Sequence, residues 1–76
     1  MKLSVEEFLK SSLYKAVEQE ALKDIVKYPM LFAEVLPLMF KYTSVSNIME
    51  LCTESRKFFE NTHRDVVDSI SLNGII

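Results

Sequence analysis

The chain is poor in the residues that build turns, crosslinks and metal cages. Of its 76 residues, one is Gly, two are Pro, one is Cys, one is His and none is Trp. A single Cys excludes an internal disulfide framework, and one Cys with one His cannot complete a four-ligand zinc site. The lone glycine, Gly74, leaves no Gly-rich loop to cradle a phosphate. So little turn material also argues against an all-β fold. Charge of one sign is lacking as well. Residues 1–43 hold six basic and six acidic side chains, and residues 44–76 hold three and five, for a net charge of −2. Neither half offers the basic footprint of a nucleic-acid binder.

Long apolar runs are absent. The richest stretch, Met30–Tyr42, has ten apolar residues in thirteen and is interrupted by Glu34, Pro37 and Lys41. A spanning helix needs roughly 20. Residues 1–20 carry Glu6, Glu7, Glu18 and Glu20 and lack the apolar centre of a signal peptide. An unpaired Cys52 fits a reducing compartment, so a cytoplasmic protein is expected.

What is there is apolar and helical. Apolar residues make up 49% of the chain and charged residues 26%. That is enough burial to offset the ordering entropy of one small domain, and too short a chain for two. The expectation is a single all-α domain over residues 1–76, a compact bundle of four to five short-to-medium helices.

Several joints are marked. Ser4 and Glu7 form a capping box, and Leu3 and Phe8 stand at the spacing of a hydrophobic staple. From there the apolar residues fall on two faces. Val5, Phe8, Leu9 and Ala16 share one direction, while Tyr14, Val17, Ala21, Ile25 and Tyr28 share another more than about 100° away. The Ser11-Ser12 pair offers a break, with Ser12 as a new cap, so a short helix and a second from Leu13 to about Lys27 are expected. One continuous helix with two contact faces is the alternative.

Pro29 ends that segment and opens the next. The third helix is expected over Met30–Tyr42, kinked by Pro37 near Ala33–Leu36. Asn47 and Glu50 mark a further start, and Val45, Ile48, Met49, Cys52, Phe59, Val66 and Ile70 follow helical spacing toward a core. Asn61-Thr62 divides this run or lies within one long helix, which Glu60–Arg64 and Arg64–Asp68 pairs would support. Asn73 and Gly74 read as a C-cap and left-handed stop, with Ile75 packing on Ile70.

Chemistry is sparse. Glu60-x-x-His63 is half of a di-iron helix motif, but no second His exists to complete it. Cys52 and His63 lie eleven residues apart, ~16 Å along a straight helix, too far for a nucleophile–base pair. Asp68-Ser69-Ile70 resembles the phosphopantetheine site of acyl carrier proteins. That serine opens a mid-chain helix, whereas only seven residues follow Ser69 here. Residues 41–59 resemble a helix-turn-helix only weakly, since Phe40 stands where a small residue belongs and Glu50 and Glu54 would face phosphates. No catalytic, cofactor or metal residues are assigned, and no enzyme, cofactor or small-molecule substrate is expected.

The feature with functional content is surplus apolar surface. Met30, Glu34, Pro37 and Lys41 share a narrow sector of the third helix. Leu31, Val35, Leu38 and Tyr42 form one apolar stripe beside it, and Phe32, Leu36 and Met39 a second. Together the apolar positions span roughly 220°, about twice the ~100° that one core-facing side needs. Phe58 and Phe59 diverge by about 100° on their helix, and Phe58 is the expected surface ring of the two. The expected function is therefore a small non-catalytic protein-binding regulator: an inhibitor, adaptor or antitoxin-like factor. Its expected partner-binding residues are Leu31, Val35, Leu38, Met39, Tyr42 and Phe58. The partner would be another protein or a second copy, with nucleic acid and membrane disfavoured. The alternatives are an obligate subunit that folds with its partner, and a weak helix-turn-helix nucleic-acid binder.

Overall fold

The computed structural model describes the backbone of residues 2–74 and the side chains of residues 2–70. Its helices are α1 (Val5–Leu9), α2 (Ser12–Lys23), α3 (Tyr28–Met39), α4 (Ile48–Thr62) and α5 (Arg64–Gly74). Single 3-10 turns at Ile25–Lys27 and Phe40–Tyr42 precede and follow α3. The all-α bundle is as expected.

The first joint forms as the sequence indicates. Ser4 Oγ accepts from the Glu7 amide at 3.1 Å, and Glu7 Oε1 accepts from the Ser4 amide at 2.9 Å. Ser4→Ala removes this reciprocal pair and is expected to cost about 1 kcal/mol, read as a lower urea midpoint with an unchanged m-value. The break after α1 also forms, but the cap is Ser11 rather than Ser12. The Ser11 hydroxyl accepts from the Tyr14 amide at 3.4 Å and donates to the Phe8 carbonyl at 2.6 Å, binding the end of α1 to the start of α2.

Helix α2 stops at Lys23, four residues short of expectation, and Tyr28 is itself helical. The cause is Pro29. It cannot donate to the Ile25 carbonyl one turn back, and its ring would clash there. The chain instead tightens into the 3-10 turn, where the Tyr28 amide donates to Ile25. Pro29 then occupies the first turn of α3, where a missing N–H costs nothing.

Asn47 caps α4, with Oδ1 accepting from the Met49 amide at 2.7 Å. Eight residues, 40–47, separate α3 from α4, more than the three or four of a helix-turn-helix. Part of that connection is pinned by the N-terminal segment. The Leu3 amide donates to the Tyr42 carbonyl at 2.9 Å, and the Ser44 amide donates to the Leu3 carbonyl at 2.7 Å.

The run from Ile48 divides at His63, whose backbone leaves the helical region, rather than at Asn61-Thr62. The Arg64 pairs expected to hold it straight do not decide the matter: Arg64 donates to Asn61 Oδ1 at 2.9 Å, across the break, and the helix divides all the same. What holds the joint is tertiary. His63 Nε2 lies 2.9 Å from Glu18 Oε2 of α2, and its ring stacks on Phe59 at 4.9 Å. Helix α5 runs through Gly74, and no glycine among the described residues takes a positive φ, so the left-handed stop is not formed there. The expected Ile75 packing lies outside the described residues.

One core cluster joins Phe8 of α1, Tyr14, Val17 and Ala21 of α2, Tyr28, Phe32 and Leu36 of α3, and Leu51 and Phe59 of α4. Helices α2 and α3 contribute at spacings of three or four, the period of a single helical face, and Leu51 and Phe59 stand two turns apart on α4 with buried Ser55 between them. Phe32 is its hub, with ring centroids 6.5 Å from Tyr14, 6.2 Å from Tyr28 and 5.2 Å from Phe59. On α4 the inward stripe is Leu51, Ser55 and Phe59. It does not run through Ile48 and Met49, which are exposed, while Cys52 is partly buried and packs against the cluster from its edge.

Candidate functional site

Helix α3 buries Tyr28, Phe32 and Leu36 and leaves two apolar flanks beside them. One flank is the stripe singled out from the sequence. Leu31, Val35 and Met39 are partly buried and pack against the core, while Leu38 stands 70% exposed and Tyr42 is exposed beneath the Lys41 ammonium. The arc is thus shared between core and solvent: its inner residues seal the bundle edge, and Leu38 projects beyond them. Phe58 lies elsewhere, on the side of α4 that faces α2, half exposed with its ring edge-on to Tyr14 at 5.5 Å.

The other flank faces α4. Between the two helices lies a groove of about 240 Å³. Pro29, Ala33 and Pro37 form its α3 wall, and Ile48, Met49 and Cys52 form its α4 wall. Phe32 is its floor, and Thr53 and Arg56 stand at the end nearest Tyr28. Met49 at its rim is 69% exposed, and Met30 on the outer side of α3 is 61% exposed. Proline and alanine explain the opening. None of the three α3 side chains is long enough to reach α4, and spacings of four set them in one row.

The groove ends in a polar clamp. Tyr28 donates its hydroxyl to Glu60 Oε2 at 2.6 Å, and Arg56 Nε donates to the same oxygen at 3.1 Å. The Tyr28 hydroxyl, with Arg56 and Arg64 nearby, holds the Glu60 carboxyl below its usual range against the opposing effect of burial. Burial and the Glu60 contact push Tyr28 up to about 12. Burial also raises the Cys52 thiol, which leaves it a weak nucleophile at neutral pH. The groove therefore offers apolar contact rather than acid–base or thiolate chemistry. Among the described residues, no group of three or more His, Cys, Asp and Glu could hold a metal ion. No helix among them is long and apolar enough to cross a membrane.

Sequence reasoning missed this groove for a traceable reason. Spacing alone sets Pro37 and Met30 in one narrow sector with Glu34 and Lys41, and sets Ile48, Met49 and Cys52 in one helical run with Phe59. The available signal was the Pro29, Ala33, Pro37 row of short side chains at spacings of four, opposite an apolar row on the next helix. No protein family matches the chain, and no curated protein or solved structure matches it.

Proposed function

We propose that this chain is a small non-catalytic regulator that binds a protein partner, or a second copy of itself, through the apolar surface of α3 and α4, in the cytoplasm. The supporting observation is the α3–α4 groove with Met49 at its rim. Its apolar walls are already formed, and its shape suits an amphipathic helix laid into a hydrophobic channel. Methionine at such a rim adapts to the side chains it meets. Leu38, on the opposite flank of α3, provides a second apolar projection of the kind that anchors an interface.

Because Met49 and Leu38 are exposed, charging them leaves the core untouched. Met49→Glu is expected to keep the helical circular dichroism and a folding stability within about 0.5 kcal/mol of the parent. It is also expected to abolish partner capture or self-association in sedimentation velocity. Leu38→Glu tests the other flank in the same way. Normal association in both variants overturns the reading, and unfolding of Leu38→Glu places that residue in the core.

The obligate-subunit alternative draws on two observations. The chain exposes 5209 Å², against about 4,800 Å² for a folded monomer of 8.8 kDa. It is also elongated, at 43 × 18 × 17 Å. A cooperative thermal transition whose midpoint does not change with protein concentration rules that alternative out.

A further inference from the structure

A second cavity, of about 290 Å³, opens between the end of α1, the first turns of α2 and the side of α4 opposite the groove. Leu9, Phe58 and the Tyr14 ring make its walls largely apolar, and Lys10, Lys15 and Thr62 bring polar groups to it. Glu18 also lines it, but its carboxylate is engaged by His63 at 2.9 Å. Within this lining Tyr14 is 1% exposed, and its hydroxyl is buried with no hydrogen-bond partner.

That hydroxyl is costly as it stands. A buried donor left unmade costs about 1–3 kcal/mol, and phenylalanine would fill the same space without it. The rings of Phe8, Phe32 and Phe58 meet Tyr14 edge-on at 6.2, 6.5 and 5.5 Å and supply no acceptor. Burial, with the Glu18 charge nearby, keeps the phenol protonated far above its ordinary range, so in neutral solution it is a donor. Lys10 and Lys15 form no ion pair among the described residues, in contrast to Lys23, Lys27 and Arg56. An acceptor carrying negative charge would satisfy both features.

We propose that this cavity binds a small organic carboxylate with an apolar body, a short fatty acid or an aromatic acid. The body packs on Leu9 and Phe58, one carboxylate oxygen accepts from the Tyr14 hydroxyl, and the Lys10 and Lys15 ammonium groups balance the charge. The half-exposed Phe58 ring is the group that turns aside to admit it. The molecule is held without being transformed: the one carboxylate of the lining, Glu18, is already engaged by His63. The site is separate from the α3–α4 groove and stands whether or not the groove docks a partner.

The test is a titration of the full chain with octanoate and with benzoate, followed by amide chemical shifts and by thermal midpoint. Ligands of about ten heavy atoms are expected to saturate near ~1 mM. The shifts should centre on Tyr14, Lys15 and Phe58, with a raised midpoint. Octanol and benzyl alcohol, matched in body but uncharged, should bind at least about tenfold more weakly. Tyr14→Phe should fold, hold or raise its own midpoint, and lose about tenfold in carboxylate affinity. Absence of saturable shifts overturns the proposal. So does equal binding by Tyr14→Phe, or equal binding of the alcohols. A lowered midpoint in unliganded Tyr14→Phe also overturns it, by showing that the hydroxyl is satisfied within the protein.

Discussion

Phe32→Ala is expected to remove a large share of the folding free energy of this protein. Phe32 is 1% exposed and packs its ring against Tyr14, Tyr28 and Phe59, which come from α2, from its own helix and from α4. Truncating such a residue removes the transfer free energy of the ring and leaves a cavity that the neighbours only partly fill, for a loss of about 3–5 kcal/mol. Domains are stabilised by roughly 0.05–0.15 kcal/mol per residue, or about 4–11 kcal/mol for this length. The loss is therefore a large share of the total. Chemical denaturation should show the urea midpoint lowered by about a third or more, with an unchanged m-value. Phe32→Leu, which keeps most of the volume, should recover more than half of the loss. A small effect of Phe32→Ala would mean that α3 is not the centre of the bundle.

Tyr28→Phe carries the second-largest expected effect, because it deletes a hydrogen bond to a charged group while leaving the ring packing on Phe59 in place. The expected loss near neutral pH is about 1.5–3 kcal/mol. Its pH dependence identifies the pair. The Glu60 carboxyl lies below its ordinary value of 4.5 when folded. Its contribution is therefore present above that value and is lost as pH falls through the lower, folded one. Tyr28 is raised from 10.0 to about 12, so its contribution is full below 10.0 and is lost as pH rises through the folded value. Stability of the parent and of Tyr28→Phe, measured by urea unfolding across pH, should differ most between those limits and converge in acid. A difference that stays constant through the acid range would show that Glu60 does not accept this bond.

The parts of the fold carried by neighbours in sequence were legible. Ser4 and Glu7 lie within one turn, so their reciprocal bonds follow from spacing alone, and Asn47 is a cap for the same reason. Pro29 marks a joint in any context. The differences arise where a second partner competes, once within a turn and once across the fold. Ser11 rather than Ser12 caps α2 because the Phe8 carbonyl offers its hydroxyl a partner across the break. His63 rather than Thr62 divides α4 from α5, where its ring is held by Glu18 at a separation of 45 residues. Local ion-pair spacing favoured one continuous helix and had no means of registering that contact.

The candidate site followed the same division. The sequence by itself determined that the chain is helical, where most helices begin, that residues for metal and Gly-loop chemistry are missing, and that its apolar residues exceed one narrow stripe per helix. Only the tertiary structure decided which of those residues are covered. An apolar arc of roughly 220° has no unique inward direction on its own helix, and the neighbours choose it. They placed Phe32 and Leu36 inside, divided the Leu31–Tyr42 stripe between core and solvent, and turned Ile48, Met49 and Cys52 from an expected core stripe into the wall of a groove. Packing is a property of pairs of helices, so the open surface was set by how α3 and α4 meet rather than by the composition of either.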